Sequence, residues 1–244
     1  MPVYFIRSDQ VRESSIHIDG VLARHLQGAL RCGIGETLHF ADDTRGYTAV
    51  VRSTRPLICT LLNEAPLPEI RCNLRLGLAL LKGDPMDWAM QKATELGVQI
   101  LVPLITQRTI ARPPLSRHEH QQQRWQSIAL EAAQQVGRSN IPRIQSPQSF
   151  EDFLNDSETH PGFQLCFWEG AEPANCAVVI HAAVLDHPRS GTLIIGPEGG
   201  FDPSEVGAAK DHGFKIASLG PRIMRADTAA VAALSILQYE IERV

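Results

Sequence analysis

The first 70 residues contain short apolar runs separated by polar segments, with no long stretch of helical periodicity. Such runs predict short strands, here Val3–Ile6, Thr37–Phe40, Tyr47–Val51 and Leu57–Leu62. Residues Ala41–Gly46 form a predicted hairpin turn, and Gly20–Arg31 form one predicted short helix. The pattern indicates a small β-barrel module over residues 1–70, with Glu64–Glu69 as the predicted linker.

From Asn73 onward, apolar strands alternate with amphipathic helices. The predicted strands are Leu74–Leu81, Val98–Leu104, Ile141–Ile144, Gln164–Trp168, Thr192–Ile195 and Lys215–Leu219. The predicted helices are Asp84–Leu96, Ser116–Val136 and Ala229–Ile241. Alternation of this kind predicts an α/β domain over residues 71–244, with a parallel sheet covered on both faces.

The strand that ends at Ile195 runs into a loop containing Gly196, Gly199 and Gly200. Glycine permits positive φ or a close approach of the backbone to a ligand. The following Asp-Pro-Ser-Glu sequence, from Asp202 to Glu205, predicts a capping box that starts a helix. Taken alone, the loop is equally well explained as a tight turn before a capped helix.

A second loop follows the strand Lys215–Leu219 and also leads into a helix, which Asp227 or Thr228 can cap. Arg222 and Arg225 lie in this loop, near a helix start where the macrodipole is already positive, so their positions favour an anionic partner. The carboxyl ends of parallel strands meet at one edge of a sheet. The two loops together therefore predict a ligand site in the last third of the chain.

Composition narrows the class of protein. Apolar residues make up 43% of the chain and charged residues 20%, which is typical of globular proteins. No apolar run is long enough to span a bilayer and no signal peptide is evident, so we expect a cytoplasmic protein with no membrane partner. The sequence has no P-loop and no GxSxG elbow. The cysteines are odd in number, scattered and never spaced as CxxC, so we expect buried thiols; they are Cys32, Cys59, Cys72, Cys166 and Cys176. Because the cysteines show no CxxC spacing and the histidines form no HExxH pair, we also expect no bound metal.

The net charge of −4 is unevenly distributed. Residues 71–150 carry ten Lys and Arg against five Asp and Glu, whereas residues 151–244 carry six against fourteen. The basic excess consists almost entirely of arginine, at Arg71, Arg75, Arg108, Arg112, Arg117, Arg124, Arg138 and Arg143. A local positive face can bind a phosphate backbone even on an acidic protein, although an ordinary solvated face explains the charge equally well. The position of Arg108 and Arg112 in a proline-containing loop favours RNA.

These motifs together resemble the SPOUT methyltransferases, and most closely their ribosomal RNA small subunit methyltransferase E branch. The resemblance rests on IGPEGGF at Ile195–Phe201 and LGPRIMRADTA at Leu219–Ala229. Other matching segments extend it over nearly the whole chain: His25–Leu26, Leu30–Arg31, Lys82–Asp84, Gln91–Val98, Arg108, Glu131–Gln135 and Arg138. Two positions depart from the branch pattern, with Met224 in place of Leu and Asp227 in place of Glu.

The resemblance implies transfer of a methyl group from S-adenosylmethionine to N3 of a uridine in 16S ribosomal RNA, within the small ribosomal subunit. It also implies a PUA-like N-terminal barrel, a trefoil knot in the C-terminal domain, and a homodimer. The implied donor site contains Gly196, Pro197, Glu198, Gly199, Gly200, Leu219, Gly220, Ile223, Met224 and Arg225. The candidate RNA-binding residues are Arg31, Arg108 and Arg138, which lie in segments that match the family, and Arg112 of the basic proline-containing loop.

Uracil N3 carries a proton at neutral pH, so the site must remove this proton or stabilise the resulting anion. Arg225 and Arg222 suit stabilisation of the anion, and Glu198 or Asp227 could act as the base. Two alternatives stay open at this point. One is a related methyltransferase acting on another ribosomal RNA or tRNA base, and the other is a nonenzymatic RNA-binding protein.

Overall fold

The computed structural model describes residues 1–171 and 176–243. The chain forms two compact units. The first contains Met1–Glu69 together with Ala133–Ile141, and the second contains Ile70–Ala132 and the described residues from Pro142 onward. The sequence assigns Ala133–Ile141 to the second domain, whereas in the structure they lie with the first unit.

The first unit is built around a six-stranded sheet in the order β1-β4-β5-β6-β3-β2. All neighbouring strands are antiparallel except the parallel pair β1 and β4. A 3₁₀ turn spans Ser8–Gln10. The strands and helix are β1 Val3–Phe5, β2 Val11–Arg12, β3 Ser15–Ile18, α1 Gly20–Gly28, β4 Thr37–Ala41, β5 Arg45–Thr54 and β6 Leu57–Pro66.

The predicted linker is wrong in its first half. Glu64–Pro66 continue β6 and pair with Arg45–Tyr47 of β5. Pro66 lacks an N–H group, and it is tolerated because it is the last residue of the strand. The strands β2 and β3, which the apolar pattern did not predict, pair with each other, and β3 also pairs with β6.

The hairpin between β4 and β5 confirms the predicted turn, and it is organised by the buried side chain of Asp42. Oδ1 of Asp42 accepts hydrogen bonds from the amides of Thr44 and Arg45, each at 2.8 Å. Oδ2 accepts one from the Tyr47 hydroxyl at 2.8 Å. Burial alone would raise the pKa of Asp42, but these hydrogen bonds outweigh it and lower the pKa to about 2.

From Asn73 onward, strands alternate with helices, as the sequence predicts. These elements belong to the second unit, except for residues 133–136 at the end of the longest helix. A 3₁₀ turn at Leu115–Arg117 precedes α3. The elements are β7 Asn73–Ala79, α2 Asp84–Glu95, β8 Ile100–Ile105, α3 His118–Val136, β9 Arg143–Ile144, β10 Gln148–Ser149, α4 Phe150–Ser157, β11 Phe163–Phe167, α5 Cys176–Val184, β12 Ser190–Ile195, α6 Pro203–Asp211, β13 Lys215–Ala217 and α7 Ala226–Arg243.

These strands form a seven-stranded sheet in the order β10-β8-β7-β12-β11-β13, and β9 also pairs with β8. Every neighbouring pair is parallel. Apolar side chains of α2, α3, α5 and α7 form one core with the sheet, and those of α4 and α6 form another. The prediction of a parallel sheet covered on both faces is confirmed.

The start of the last helix is corrected by the structure. The Ala229 amide donates to the Arg225 carbonyl at 2.8 Å, so the helical ladder begins at Ala226, three residues before the predicted start. Asp227 therefore lies in the first turn instead of preceding the helix. Ala230, Leu234 and Leu237 form part of the buried face of α7.

Candidate active site

The two loops singled out by the sequence leave the same edge of the sheet, on either side of β11. Phe167, the last residue of β11, pairs with Ile195 of β12 and with Ala217 of β13. Strands in a sheet are about 4.8 Å apart, so β12 and β13 are separated by about 10 Å at this edge. Both loops therefore begin at one level on the carboxyl edge of the sheet.

A crevice is expected at the carboxyl ends of β7 and β12, because the helices that follow them pack on opposite faces. Side chains of α2 belong to one core and those of α6 to the other. Ligands of open α/β sheets bind where the chain switches faces in this way. The loops that follow β7 and β12 meet at this point, where the Lys82 amide donates to Glu198 Oε1 at 3.0 Å.

Gly196 and Gly200, in the loop after β12, leave little room for a side chain. A Cβ on Gly196 would lie 3.2 Å from the Phe201 amide nitrogen. Gly200 has φ of +69°, and a Cβ there would collide with the carboxylate of Glu169. The turn then leads into α6 through the predicted capping box, which is confirmed: Asp202 accepts from the Ser204 amide at 3.0 Å, and Glu205 accepts from the Asp202 amide at 2.9 Å.

The loop between β8 and α3 is hydrogen-bonded to this glycine loop. Arg108 donates to the Gly199 carbonyl and to Asp202 Oδ2, both at 3.1 Å. The buried carboxylate of Glu205 also accepts from the Gln107 amide at 2.8 Å. Hydrogen bonds from Ser204, and then the Arg108 guanidinium, hold the pKa of Asp202 below its ordinary value. The sequence predicted only the capping role of Glu205. Its second hydrogen-bond partner, the Gln107 amide, is 98 residues away in the chain and could not be predicted from local sequence.

The loop after β13 is open by comparison. Gly220 has φ of +104°, and a Cβ there would meet nothing within 4 Å. Its amide donates to Ser218 Oγ at 3.2 Å. The side chain of Ile223 is exposed, whereas Leu219 and Met224 are half-buried. This loop offers backbone and apolar side chains to a ligand.

Arg225 does have a local partner, which overturns the argument that a cation at this helix start needs an external anion. Its Nη2 donates to Asp227 Oδ2 at 3.0 Å. Asp227 Oδ1 accepts from the Thr228 amide at 2.8 Å. A carboxylate in the first turn offsets both the macrodipole and the guanidinium charge. Arg222 is exposed in the same loop.

Similarity to known proteins extends over nearly the whole chain. A model of the RNA methyltransferase domain family matches residues 68–238. The chain is 31% identical over 254 residues to ribosomal RNA small subunit methyltransferase E of Bacillus subtilis, covering 99% of this chain and 98% of that protein. This chain belongs to the ribosomal RNA small subunit methyltransferase E family. Membership in this family shows an enzyme and excludes the alternative of a nonenzymatic RNA-binding protein.

Two further family members extend the likeness. The protein of the same name from Synechocystis is 30% identical, with coverage of 97% of this chain and 77% of that protein. A crystal structure of ribosomal RNA small subunit methyltransferase E from Neisseria gonorrhoeae, bound to S-adenosyl methionine, is 25% identical. It aligns with a TM-score of 0.80 over 98% of this chain and 97% of that chain.

The arginines that the sequence proposes for RNA differ in their local contacts. Arg112 folds back on its own loop and donates to the carbonyls of Thr109, Thr106 and Gln107 at 2.9–3.1 Å. Burial lowers the pKa of Arg138 to about 10, and its guanidinium donates to Asn140 Oδ1 at 2.9 Å.

Two more arginines differ sharply in their surroundings. Arg31 is exposed in the first unit, at φ of +52°. Arg75 is buried, stacks over the Phe153 ring at 4.2 Å and pairs with Asp156. The charge excess of residues 71–150 is therefore in part internal.

The cysteines with described side chains are buried, as the sequence predicts. The side chains of Cys32, Cys59, Cys72 and Cys166 are buried, and burial raises the pKa of Cys59 and Cys72 to about 11. The side chain of Cys176 lies outside the described residues.

Across residues 1–171 and 176–243, no group of three or more His, Cys, Asp or Glu is arranged to hold a metal ion. In the same ranges, no helix is both long and apolar enough to cross a membrane.

Proposed function

We propose that this enzyme transfers a methyl group from S-adenosylmethionine to N3 of a specific uridine in 16S ribosomal RNA. The observation that carries the proposal is the pair of loops at one sheet edge, in a chain with the same fold as a Neisseria relative solved with S-adenosyl methionine. The name of that relative and of the Bacillus protein specifies ribosomal RNA of the small subunit.

The loops fit the donor. The open space over Gly220 leaves backbone available to a ligand, and the exposed Ile223 and half-buried Leu219 and Met224 supply apolar contact. Small-molecule sites combine such apolar surface with a few polar backbone groups. The remaining donor contacts are proposed for Gly196, Pro197, Glu198, Gly199, Gly200 and Arg225. When bound, the donor supplies a methyl group on a positively charged sulfur.

The side chains of this site then act on the acceptor. Removal of the N3 proton spreads negative charge onto the uracil oxygens, and preorganised guanidinium groups stabilise such charge. Arg225 is 71% exposed and held at one end by Asp227, so its other N–H groups are free to donate. Arg222, exposed in the same loop, is proposed to assist.

Between the two candidate bases, the contacts favour Glu198. Glu198 is exposed, and one of its oxygens accepts from the Lys82 amide. Asp227 is only 12% exposed, and both of its oxygens accept hydrogen bonds. A base must reach the proton it removes, which an exposed carboxylate does more readily. We therefore assign the base to Glu198 and a positioning role to Asp227.

Further features are proposed on the family resemblance. They are closure of the N-terminal sheet into a PUA-like barrel and a trefoil knot in the second unit. RNA contacts by Arg31, Arg108, Arg112 and Arg138 are proposed from the resemblance together with the basic charge of residues 71–150. A homodimer is proposed through α7, which leaves Ile236 and Tyr239 exposed although Leu234 and Leu237 of the same helix are buried. Sedimentation at micromolar concentration tests the dimer, and a monomeric mass would reject it.

The test of function uses labelled S-adenosylmethionine and small ribosomal subunits that lack the modification. The proposal expects one labelled methyl group on 16S ribosomal RNA, located by mass spectrometry of nucleosides at uracil N3. Label on a different base, or on tRNA in a parallel incubation, would instead support a methyltransferase of different specificity. No transfer to any RNA, with donor binding intact, would reject the proposed reaction.

A further inference from the structure

An open cleft lies beside the glycine loop, within the second unit. It is bounded by the loop after β7, the loop after β8 and the first turns of α2 and α3. Its volume is about 550 Å³. Small-molecule sites measure about 300–1,000 Å³, so the cleft is large enough for a nucleotide.

Both loops that bound the cleft are hydrogen-bonded to the Gly196–Gly200 loop. From the β7 side, the Lys82 amide donates to Glu198 Oε1. From the β8 side, Arg108 donates to the Gly199 carbonyl. A molecule seated in the cleft therefore lies next to the loop assigned to the methyl donor, and next to the carboxylate assigned as the base.

The cleft has an apolar floor and a basic rim. Leu80, Leu81, Met86, Ala111 and Pro113 supply the apolar surface. The rim carries the basic side chains of Lys82, Arg117, His120 and Arg124, together with the carboxylates of Asp84 and Asp87. An apolar floor suits a flat base, and cations suit the phosphates on either side of it.

The rim cations differ in how far they are neutralised. Arg124 forms an ion pair with Asp87, which also accepts from Trp125 Nε1 at 3.1 Å. In the part of the chain that the structure describes, the side chains of Lys82 and Arg117 have no ion-pair or hydrogen-bond partner. These two cations remain available to an anionic ligand.

A polar group in the same lining also lacks a partner. Gln121 lines the cleft, and its side-chain Oε1 is buried without a hydrogen bond among the described residues. Buried amide oxygens are nearly always paired, so one without a partner indicates a missing donor. The ribose 2′-hydroxyl of an RNA nucleotide is a donor from which such an oxygen can accept.

We infer that this cleft receives the acceptor nucleotide, with the base on the apolar floor and its flanking phosphates at Lys82 and Arg117. The inference rests on the proposed function. N3 of uracil lies on the Watson–Crick edge, which pairing and stacking conceal, so the enzyme must take the base out of the helix into a pocket. Gln121 is then positioned to accept a hydrogen bond from the ribose of the extruded nucleotide.

The first test separates RNA binding from donor binding. Lys82→Ala and Arg117→Ala should each raise the half-saturating concentration of ribosomal subunits roughly tenfold, and reduce the salt slope of binding by about 0.7–0.9 for each phosphate that is no longer neutralised. The donor dissociation constant, measured by calorimetry, should stay within about twofold of wild type. Arg143→Ala is the matched control, because Arg143 is an exposed arginine of the same basic segment at the start of β9. If Lys82→Ala and Arg117→Ala have the same half-saturating concentration and the same salt slope as Arg143→Ala, the inference is overturned.

The second test fills the cleft. Ala111→Trp places an indole over the floor and should abolish methyl transfer while donor binding and the thermal midpoint remain at wild-type values. Transfer at the wild-type rate in this variant would overturn the inference.

The third test locates the RNA without requiring catalysis. Full-length wild-type protein is mixed with 4-thiouridine-substituted 16S ribosomal RNA, irradiated, and mapped by mass spectrometry. Crosslinks within residues 80–87 or 111–125 support the cleft, and crosslinks confined to other segments overturn it. Because this measurement needs no methyl transfer, it distinguishes failure of the cleft from failure of the proposed reaction.

Discussion

Arg225 and Asp227 form an ion pair across the start of α7, from Nη2 to Oδ2 at 3.0 Å, and they differ greatly in exposure. The Arg225 side chain is 71% exposed and that of Asp227 is 12% exposed. The carboxylate is therefore held by the fold, whereas most of the guanidinium faces outward. We propose that Asp227 orients Arg225 for a task beyond the helix.

Arg225→Ala should lower the rate of methyl transfer by about 10²–10³-fold, the usual cost of losing one preorganised charge donor. Arg225→Lys should recover only part of the activity, because the ammonium lacks the planar fork of guanidinium. The measurement is single-turnover transfer to saturating ribosomal subunits. Thermal melts of each variant serve as the folding control, and a folded Arg225→Ala protein with the wild-type rate would remove Arg225 from the mechanism.

Glu198→Gln and Asp227→Asn form a matched pair of isosteric substitutions. Glutamine can still accept from the Lys82 amide, but it cannot remove a proton, so Glu198→Gln should lose nearly all transfer. Asparagine can still accept from the Thr228 amide, so Asp227→Asn should retain most of the activity and only weaken the hold on Arg225. The pH–rate profile of each variant is the measurement. The opposite pattern of activities would assign the base to Asp227.

Gly220→Leu should abolish binding of S-adenosylmethionine. The backbone φ of +104° is strained for any L side chain, and the leucine would enter the open space that we assign to the donor. Gly207→Ala is the control, since Gly207 lies within α6, also with nothing near a Cβ, and there alanine should be neutral or stabilise by about 0.5–1 kcal/mol. Calorimetry on both variants tests the prediction, and unchanged donor affinity in Gly220→Leu would exclude this loop from the site.

Gly199→Leu should also impair donor binding, through a different contact. A Cβ at Gly199 lies 3.4 Å from Arg108 Cβ, so a larger side chain would push Arg108 off the Gly199 carbonyl and off Asp202. Arg108→Ala removes the same two hydrogen bonds and should weaken both RNA and donor binding. Calorimetry with the donor and salt titrations with RNA measure the two effects. An Arg108→Ala protein that binds the donor normally would show that Arg108 serves RNA alone.

Asp42 should make the first unit sensitive to acid. Its pKa is about 2 in the folded protein and about 3.9 in an unfolded chain, so the ionised form favours folding. The stabilisation, about 2 kcal/mol, is complete above about pH 5 and is largely lost once the pH has fallen to about 2. Urea unfolding of wild type and Asp42→Asn should differ at pH 6 and converge at pH 2. Asp43→Asn, at the exposed neighbouring residue, is the control, and a gap between wild type and Asp42→Asn that persists at pH 2 would contradict the assignment.

The sequence by itself determined the structural features that depend only on residues close together in the chain. The capping box from Asp202 to Glu205 places both partners of each hydrogen bond within three residues, so residue types alone predict it. The alternation of apolar strands and helices likewise predicted the parallel sheet, because each element must bury its apolar side against a neighbour. The motifs at Ile195–Phe201 and Leu219–Ala229 identified the family.

Tertiary structure decided which distant residues meet. Arg75 and Arg108 are the same residue type in the same basic segment, yet one is buried beneath Phe153 and the other is exposed beside Gly199. A guanidinium is placed by whichever partners the sheet brings within hydrogen-bond distance, and those partners lie 81 residues away for Arg75 and 91 for Arg108.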